Sequence, residues 1–289
     1  MNEREPGAPP GEKTPVPALR RQGEPPYAVC LVHGGPGAFG SLASLRRELA
    51  RDMGVIEAMS REESLEGQER ELEDILRQEA DGPVVLAGHS FGAMLSLLVA
   101  ARAPELVSRL ILIGSGPLTE KDARDIDAVR LSRLAPDARA ERDRLVRRLG
   151  DPGLDPGSAG ADGLMARLGA LIMRADAWDP LPGAMAPDPE AFACGFAVMR
   201  AAWPQMRRLR ASGGLLEAAG RLRAPVSVIH GDYDPHPADG VAGPLLRVRP
   251  ETRVFVLKHC GHEPWLERGA RWEFYRILRR EIALKNSMS

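Results

Sequence analysis

The stretch VVLAGHSFGAMLSLLVAA, residues 84–101, sets a serine between a short apolar run and a longer one. The run at 84–87 is typical of a buried strand, and the run at 93–101 is apolar all round, as in a helix buried against a sheet. Between them, Gly88 and Gly92 lack Cβ atoms and therefore permit a sharp strand-to-helix turn. We predict that Ser90 occupies the tip of this turn. In the simpler alternative, Ser90 is only the N-cap of the helix.

Further apolar, β-branched runs repeat this pattern of strand, turn and helix along the chain. Strands that are apolar on both faces and separated by helices form a parallel sheet covered on both sides, so the sequence predicts an α/β fold. Ser60 and Glu63 have the spacing of a capping box for a helix that runs to about residue 79. The predicted strands span residues 27–32, 55–58, 84–87, 110–113, 226–229 and 254–257.

The strand pattern is interrupted once, which predicts four segments. Residues 1–26 are rich in Pro, Gly and charge, and too poor in apolar side chains to offset the entropy of ordering, which predicts a flexible arm. Residues 27–117 form the first part of a sheet core, and 118–223 carry Arg-rich and Ala-rich helical patterns that predict an inserted helical lid. Strand character resumes in 224–289, the second part of the core.

Composition and net charge limit the classes of binding partner that we expect for this chain. The chain has 289 residues, with 39 basic and 40 acidic side chains and a net charge of -1, which favours neither a nucleic-acid surface nor a basic membrane patch. No apolar run approaches the roughly 20 residues of a membrane-spanning helix. Three cysteines at unpatterned spacing indicate a reducing compartment, so we expect a cytoplasmic protein with a small-molecule substrate.

Three chemical groups follow predicted strands in the order serine, acid, histidine. A serine hydroxyl becomes a strong nucleophile when an imidazole takes its proton and a carboxylate holds that imidazole in the right tautomer. We predict Ser90 as the nucleophile and His262 as the base, with His259 as the rival. Asp234 is favoured as the acid by spacing, whereas Asp232 could brace the turn.

Residues 33–37, HGGPG, end the first predicted core strand. We predict that the backbone N–H groups of Gly35 and Phe91 bind an oxyanion that develops beside Ser90. The alternative is a tight turn with no chemical role. His230 and His236 are interpreted as structural or pocket-lining, and His89, beside the nucleophile, as packed under the serine turn. Because no His-x-x-x-His or Cys-x-x-Cys spacing is present, no metal site is expected.

Taken together, these motifs resemble the α/β-hydrolase superfamily, and HGGPG resembles its prolyl-iminopeptidase-like branch. The resemblance covers residues 27–116 and 225–283. It implies the roles given above for Ser90, Asp234 and His262, a lid after the sixth of eight strands, and no cofactor. The chain departs from that branch at residues 56–64, which read IEAMSREES where the branch has Asp-Gln-Arg-Gly-x-Gly-x-Ser, and at the GHSFG turn, which is usually GGSWG.

The leading hypothesis is a serine hydrolase that cleaves a small-molecule ester, amide or related acyl bond through an acyl-enzyme. An aminopeptidase would need carboxylates facing the pocket to bind the free amine, and Asp176, Asp179 and Glu190 are the available candidates. Serine-dependent carbon-carbon cleavage and perhydrolysis also remain open. A non-catalytic small-molecule receptor on the same fold is the alternative from another class, because function resides in the site rather than in the fold.

Overall fold

Residues 16–186 and 188–284 are described by a computed structural model, and they form one α/β sheet structure. Its seven strands lie in the order β1-β3-β2-β4-β5-β6-β7, with β1 antiparallel to β3 and all other neighbours parallel. The predicted fold class is therefore confirmed, and all six predicted strands are present. The strands are β1 (Leu19–Gln22), β2 (Tyr27–Val32), β3 (Gly54–Ala58), β4 (Val84–His89), β5 (Val107–Ile113), β6 (Val226–Gly231) and β7 (Arg253–Leu257).

Strand β1 corrects the prediction of a flexible arm at residues 1–26. Leu19 lies opposite Ala58 and Gln22 lies opposite Val55, so this short segment extends the sheet at its edge. Leu19 packs against the core, while the arginines beside it give the segment the polar composition that suggested an arm. An edge strand with one solvated face needs few apolar residues. The rest of that prediction, at residues 1–15, lies outside the described residues.

The described ranges contain ten α-helices, several of which cover the sheet. Alternate strand residues pack to opposite faces, as the two-residue period of a strand requires. One face is covered by α2, α3, α8 and α9, and the other by α1 and α10. The helices are α1 (Ala43–Leu49), α2 (Leu65–Glu79), α3 (Phe91–Arg102), α4 (Ile126–Arg133), α5 (Pro136–Leu149), α6 (Ala159–Asp176), α7 (Phe196–Ala211), α8 (Gly214–Arg221), α9 (Asp239–Val248) and α10 (Arg271–Ala283).

The cap of α2 differs from the sequence prediction. Ser64, not Ser60, is the N-cap, and its hydroxyl oxygen accepts a hydrogen bond from the Gly67 N–H at 3.0 Å. The predicted capping box of Ser60 and Glu63 is therefore wrong. Ser60 is buried and has a φ of 24°, and the helix begins only at Leu65, four residues after the predicted start.

Five helices, α4 to α8, lie between β5 and β6. Helices α5 and α6 share a small apolar cluster with Phe196, separate from the two clusters that flank the sheet. By contrast, α8 packs against α3 in the main core, so the last helix of the segment predicted as a lid forms part of the layer on the sheet. None of the helices described is both long enough and apolar enough to cross a membrane.

Candidate active site

Ser90 stands at a strained turn between β4 and α3, with φ 54° and ψ −117°. Its backbone N–H donates to the carbonyl of Ile113 at 3.0 Å, which ties the turn to the neighbouring strand β5. A Cβ on Gly92 would come within 2.3 Å of the His33 carbonyl oxygen, so only glycine permits this close approach. The Ser90 side chain makes no capping hydrogen bond to α3, which removes the reason for interpreting it as a simple N-cap.

Asp234 and His262 meet at the carboxyl ends of β6 and β7. Nδ1 of His262 donates to Oδ2 of Asp234 at 2.7 Å, and the Asp234 carboxylate has no exposed surface. His262 lines the same cavity as Ser90. Nε2 of His89 donates to the carbonyl oxygen of His262 at 3.0 Å, so the serine turn and the histidine loop are joined directly. Because the Nδ1–H group of neutral His262 donates to the carboxylate, its Nε2 carries no proton.

The two rival assignments lie elsewhere. Asp232 accepts a hydrogen bond from the Cys260 N–H at 3.3 Å and lies 3.6 Å from the ammonium of Lys258, so it braces the start of the histidine loop. His259 is exposed and stacks on Trp178. Geometry therefore favours Asp234 and His262 over both rivals.

Two more histidines bind the same buried carboxylate. Nδ1 of His236 donates to Oδ1 of Asp234 at 2.8 Å, and Nε2 of His230 lies 3.2 Å from Oδ2. The His236 ring lies 4.4 Å from the His262 ring, at an angle of 30°. His236 also lines the cavity, in keeping with its interpretation as structural or pocket-lining.

This arrangement shifts the pKa values of Asp234, His262 and His236 in different directions. Burial raises the pKa of Asp234, but the charges of His262, His236 and His230 outweigh it and hold that pKa well below its ordinary value. Burial disfavours charge on His262, yet Asp234 attracts and hydrogen-bonds the imidazolium, so the net effect is a raised pKa. Burial lowers the pKa of His236 to about 4. His262 is thus the imidazole of this pair that binds a proton more readily.

The predicted oxyanion loop packs directly on the serine turn. A Cβ on Gly34 would lie 3.0 Å from Cβ of Ser90, and Gly35 has a φ of +52°, a backbone conformation that favours glycine. Gly35 and Phe91 both line the cavity beside Ser90. Phe91 is the first residue of α3, where backbone N–H groups have no partner within the helix and the helix dipole attracts negative charge.

The cavity that contains Ser90 and His262 has a volume of about 1370 Å³. This exceeds the roughly 300–1,000 Å³ of an ordinary small-molecule site. Its walls come from residues 34–44, from α4, α6 and α7, from described residues of the irregular segment between α6 and α7, and from the loop after His262.

Residues 14–272 match the sequence model of the Alpha/beta hydrolase family. The chain belongs to this family. The match confirms the predicted superfamily over most of the sequence. None of the curated proteins matches the chain.

Solved structures of similar fold include hydrolases of several kinds. The monoacylglycerol lipase of Paleococcus ferrophilus has a TM-score of 0.58 and 19% identity, over 92% of this chain and 98% of that one. E-2-(Acetamidomethylene)succinate hydrolase has a TM-score of 0.58 and 21% identity, over 91% of this chain and 93% of its own. A thermophilic esterase from Thermogutta terrifontis has a TM-score of 0.58 and 19% identity, over 94% of this chain and 98% of its own. At this level of identity, the likeness shows the shared fold.

The three carboxylates that could have bound a substrate amine already have arginine partners. Asp176 lines the cavity, but Nε and Nη2 of Arg130 donate to its two oxygens at 2.8 and 2.6 Å. Asp179 is paired with Arg268 at 3.1 Å, and Glu190 is paired with Arg47 at 2.6 Å. A substrate ammonium group would therefore have to displace a resident guanidinium.

One group of side chains in the described ranges has the spacing of a metal site. Single ligand atoms of Asp176, His236 and His262 lie within 4.8 Å of one another. However, Arg130 occupies the Asp176 carboxylate, and its Nη2 lies 3.5 Å from Nε2 of His236. The guanidinium is the cation that these residues already accommodate, and a divalent ion beside it would meet like charge.

Sequence reasoning missed Glu267, which fixes the histidine loop. Its buried carboxylate accepts hydrogen bonds from three backbone N–H groups, those of Gly261, Trp178 and Asp179, at 2.8 to 2.9 Å. The backbone N–H of His262 itself donates to the Asp176 carbonyl at 3.0 Å. A single Glu five residues after a histidine gives no periodic signal, so the sequence offers no means of finding this role.

Proposed function

We propose that this protein is a serine hydrolase that cleaves an ester or related acyl bond of a small molecule through an acyl-enzyme. Ser90 is the nucleophile, His262 the general base and Asp234 the acid. The observation that carries the proposal is the 2.7 Å hydrogen bond from His262 to buried Asp234, in a cavity that also holds Ser90 at its strained turn. A binding protein has no physical need for this combination.

The first half of the reaction forms the acyl-enzyme. Nε2 of His262 takes the Ser90 hydroxyl proton as Oγ bonds to the substrate carbonyl carbon, and the carbonyl electrons move onto oxygen. The N–H groups of Gly35 and Phe91 bind that oxyanion, while Asp234 stabilises the imidazolium. The bond to the leaving group then breaks, and the imidazolium supplies the proton that the leaving group needs.

The second half releases the acid. Water enters the place of the leaving group, and His262 takes one of its protons as the oxygen attacks the acyl carbon. The tetrahedral intermediate collapses, the bond to Ser90 breaks, and the proton returns from His262 to Oγ. The net change is one water consumed for one acyl bond cleaved, with the protein restored.

An ester is favoured over the free amine substrate of an aminopeptidase. Asp176, Asp179 and Glu190 are each paired with arginine, which leaves none of them as a dedicated amine-binding group. A lipase and an esterase of the same fold support the same choice, although each of those activities belongs to its own protein. The test compares kcat/KM on p-nitrophenyl acetate with that on proline p-nitroanilide. Preference for the anilide would favour the prolyl-iminopeptidase-like alternative.

The nucleophile is tested by covalent labelling. A fluorophosphonate probe should label the protein once, at Ser90, as read by intact mass and peptide mapping. Ser90→Ala should abolish labelling, whereas Ser44→Ala, which removes another serine that lines the cavity, should leave it intact. A folded wild-type protein that stays unlabelled would support a receptor without catalysis.

A further inference from the structure

One face of helix α6 forms a wall of the cavity. Its cavity-lining residues recur every three or four positions, the spacing of a single helix face. The face begins at Asp176, whose carbonyl oxygen accepts the hydrogen bond from the His262 N–H, and continues away from the reacting groups to Met165. The eleven steps from Met165 to Asp176 span about 16.5 Å at 1.5 Å per residue.

This wall is polar only at its end nearest the reacting groups. Asp176 is neutralised there by Arg130, and the cavity-lining residues beyond it carry no charge. They are Met165, Ala166, Gly169, Ala170, Ile172 and Met173. A substrate group lying along the wall therefore meets apolar surface over nearly its whole length, and burial of apolar surface would hold it.

The opposite walls add flexible apolar side chains. Met94 on α3, Met185 in the chain between α6 and α7, and Met199 on α7 also line the cavity. Half of the ten methionines in the sequence thus face this one space. Because methionine is unbranched and adopts many shapes, these five side chains fit a flexible apolar chain. The other charged residues that line the cavity, such as Arg124 and Arg207, lie outside α6.

Small residues in the middle of α6 keep the wall open. Gly169 lies within the helix, where glycine is among the least favourable residues, and no atom lies within 4 Å of the Cβ that another residue would carry. Packing does not require glycine here. A larger side chain at this position would extend into the cavity.

We propose that a long, flexible apolar chain of the substrate lies along α6, and that the small residue at position 169 leaves room for it. This inference rests on the proposed serine hydrolase function and names its substrate class. The chain belongs either to the acyl group or to the alcohol of the ester, and these two sources share the same recognition chemistry.

The test fills the space beside α6 with a larger side chain and compares substrates of different chain length. Gly169→Phe places a ring in the cavity without removing any contact. We expect the ratio of kcat/KM for p-nitrophenyl laurate to that for p-nitrophenyl acetate to fall by at least about tenfold, because several buried methylene groups lose their place. Dodecyl acetate compared with ethyl acetate, assayed by acetate release, gives the ratio for a chain on the alcohol side.

A matched control lies on the same helix. Gly163 is exposed, has no atom within 4 Å of an added Cβ and does not line the cavity. Gly163→Phe should therefore keep both length ratios at the wild-type values. Thermal unfolding, together with fluorophosphonate labelling of Ser90, shows whether Gly169→Phe is folded with a reactive serine. A smaller change, Gly169→Leu, serves if the Phe variant does not fold.

The outcomes separate the two proposals. A fall in the ratio for the acyl series or for the alkyl series supports binding of an apolar chain along α6. It also identifies whether that chain belongs to the acyl group or to the alcohol. Ratios in Gly169→Phe that equal the wild-type values in both series would overturn the proposed binding of an apolar chain along α6. If the wild type is labelled and hydrolyses the short esters, the serine hydrolase proposal still holds. Absence of labelling and of all ester hydrolysis in the wild type would overturn both.

Discussion

Glu267 accepts a hydrogen bond from the backbone N–H of Gly261 at 2.9 Å, one residue before His262. The same carboxylate binds the N–H groups of Trp178 and Asp179 at 2.8 Å each, at the end of α6. The loop that carries the proposed base is therefore fastened to the helix that lines the substrate cavity. This buried carboxylate is held by three backbone N–H donors.

Glu267→Gln should destabilise the protein and misplace His262. The amide would turn an N–H group toward backbone donors, leaving buried donors without acceptors at a cost of about 1–3 kcal/mol. We expect a lower free energy of unfolding in urea and slower fluorophosphonate labelling of Ser90. Glu273→Gln, on the half-exposed side chain of α10, is the control and should change neither. Wild-type labelling and stability in Glu267→Gln would contradict this role.

The two aspartates after β6 should respond very differently to the same change. Asp234→Asn removes the charge that stabilises the imidazolium and can reverse the His262 tautomer, so kcat should fall on the order of 10³- to 10⁴-fold. Asp232→Asn removes only a weak ion pair with exposed Lys258 and should cost less than about tenfold. Steady-state kinetics on one p-nitrophenyl ester measures both. A larger loss in Asp232→Asn would show that the acid is wrongly assigned.

The acidic limb of the pH profile should report His262. Its neutral form is the base, and Asp234 raises its pKa, so kcat/KM should fall with decreasing pH at a value above the ordinary histidine pKa of about 6.5. The pKa of His236 is lowered to about 4, so that ring stays neutral through this range. In Asp234→Asn the limb should move to lower pH, because the imidazolium has lost its anionic partner. An unmoved limb would argue against this pairing.

Glu263, beside His262 in the cavity, should make stability fall as pH rises. Burial raises its pKa from 4.5 to about 7, partly opposed by His262 and reinforced by Asp176, Glu267 and Asp234. Between these values the folded protein retains a proton that the unfolded chain releases, so stability present below about pH 4.5 is lost through about pH 7.

Glu263→Gln should abolish that loss. The wild type should lose up to about 3 kcal/mol relative to the variant across this window, as measured by urea unfolding at several pH values. The exposed pair partner Glu217, replaced in Glu217→Gln, is the control and should follow the wild type. A constant difference between wild type and Glu263→Gln at all pH values would show that this carboxyl does not titrate as described.

The sheet and the meeting of the motifs could be predicted because they follow from local patterns. Apolar β-branched runs located β2 to β7, and the carboxyl ends of parallel strands meet at one edge, which brings the loops of Ser90, Asp234 and His262 together. Strand β1 was missed because an edge strand with two arginines has no apolar run. Its existence depends on pairing with β3, which lies more than thirty residues further along.

Long-range polar contacts could not be predicted. Arg130 reaches Asp176 across 46 positions, and Glu267 reaches Trp178 across 89. Neither spacing has a period, and neither residue type is unusual on a helix or in a loop. Only the path of the chain through three dimensions decides that these charges are buried beside His262.

The order of the strands also has a consequence for synthesis. Strand β6 lies against β5, but the chain makes five helices between them before β6 exists. A ribosome therefore produces Ser90 long before its proposed acid and base, and a product stopped anywhere among those helices holds the alcohol alone. On the proposed chemistry, a growing or prematurely terminated chain is inert toward the esters around it, and reactivity begins only after the final strand docks.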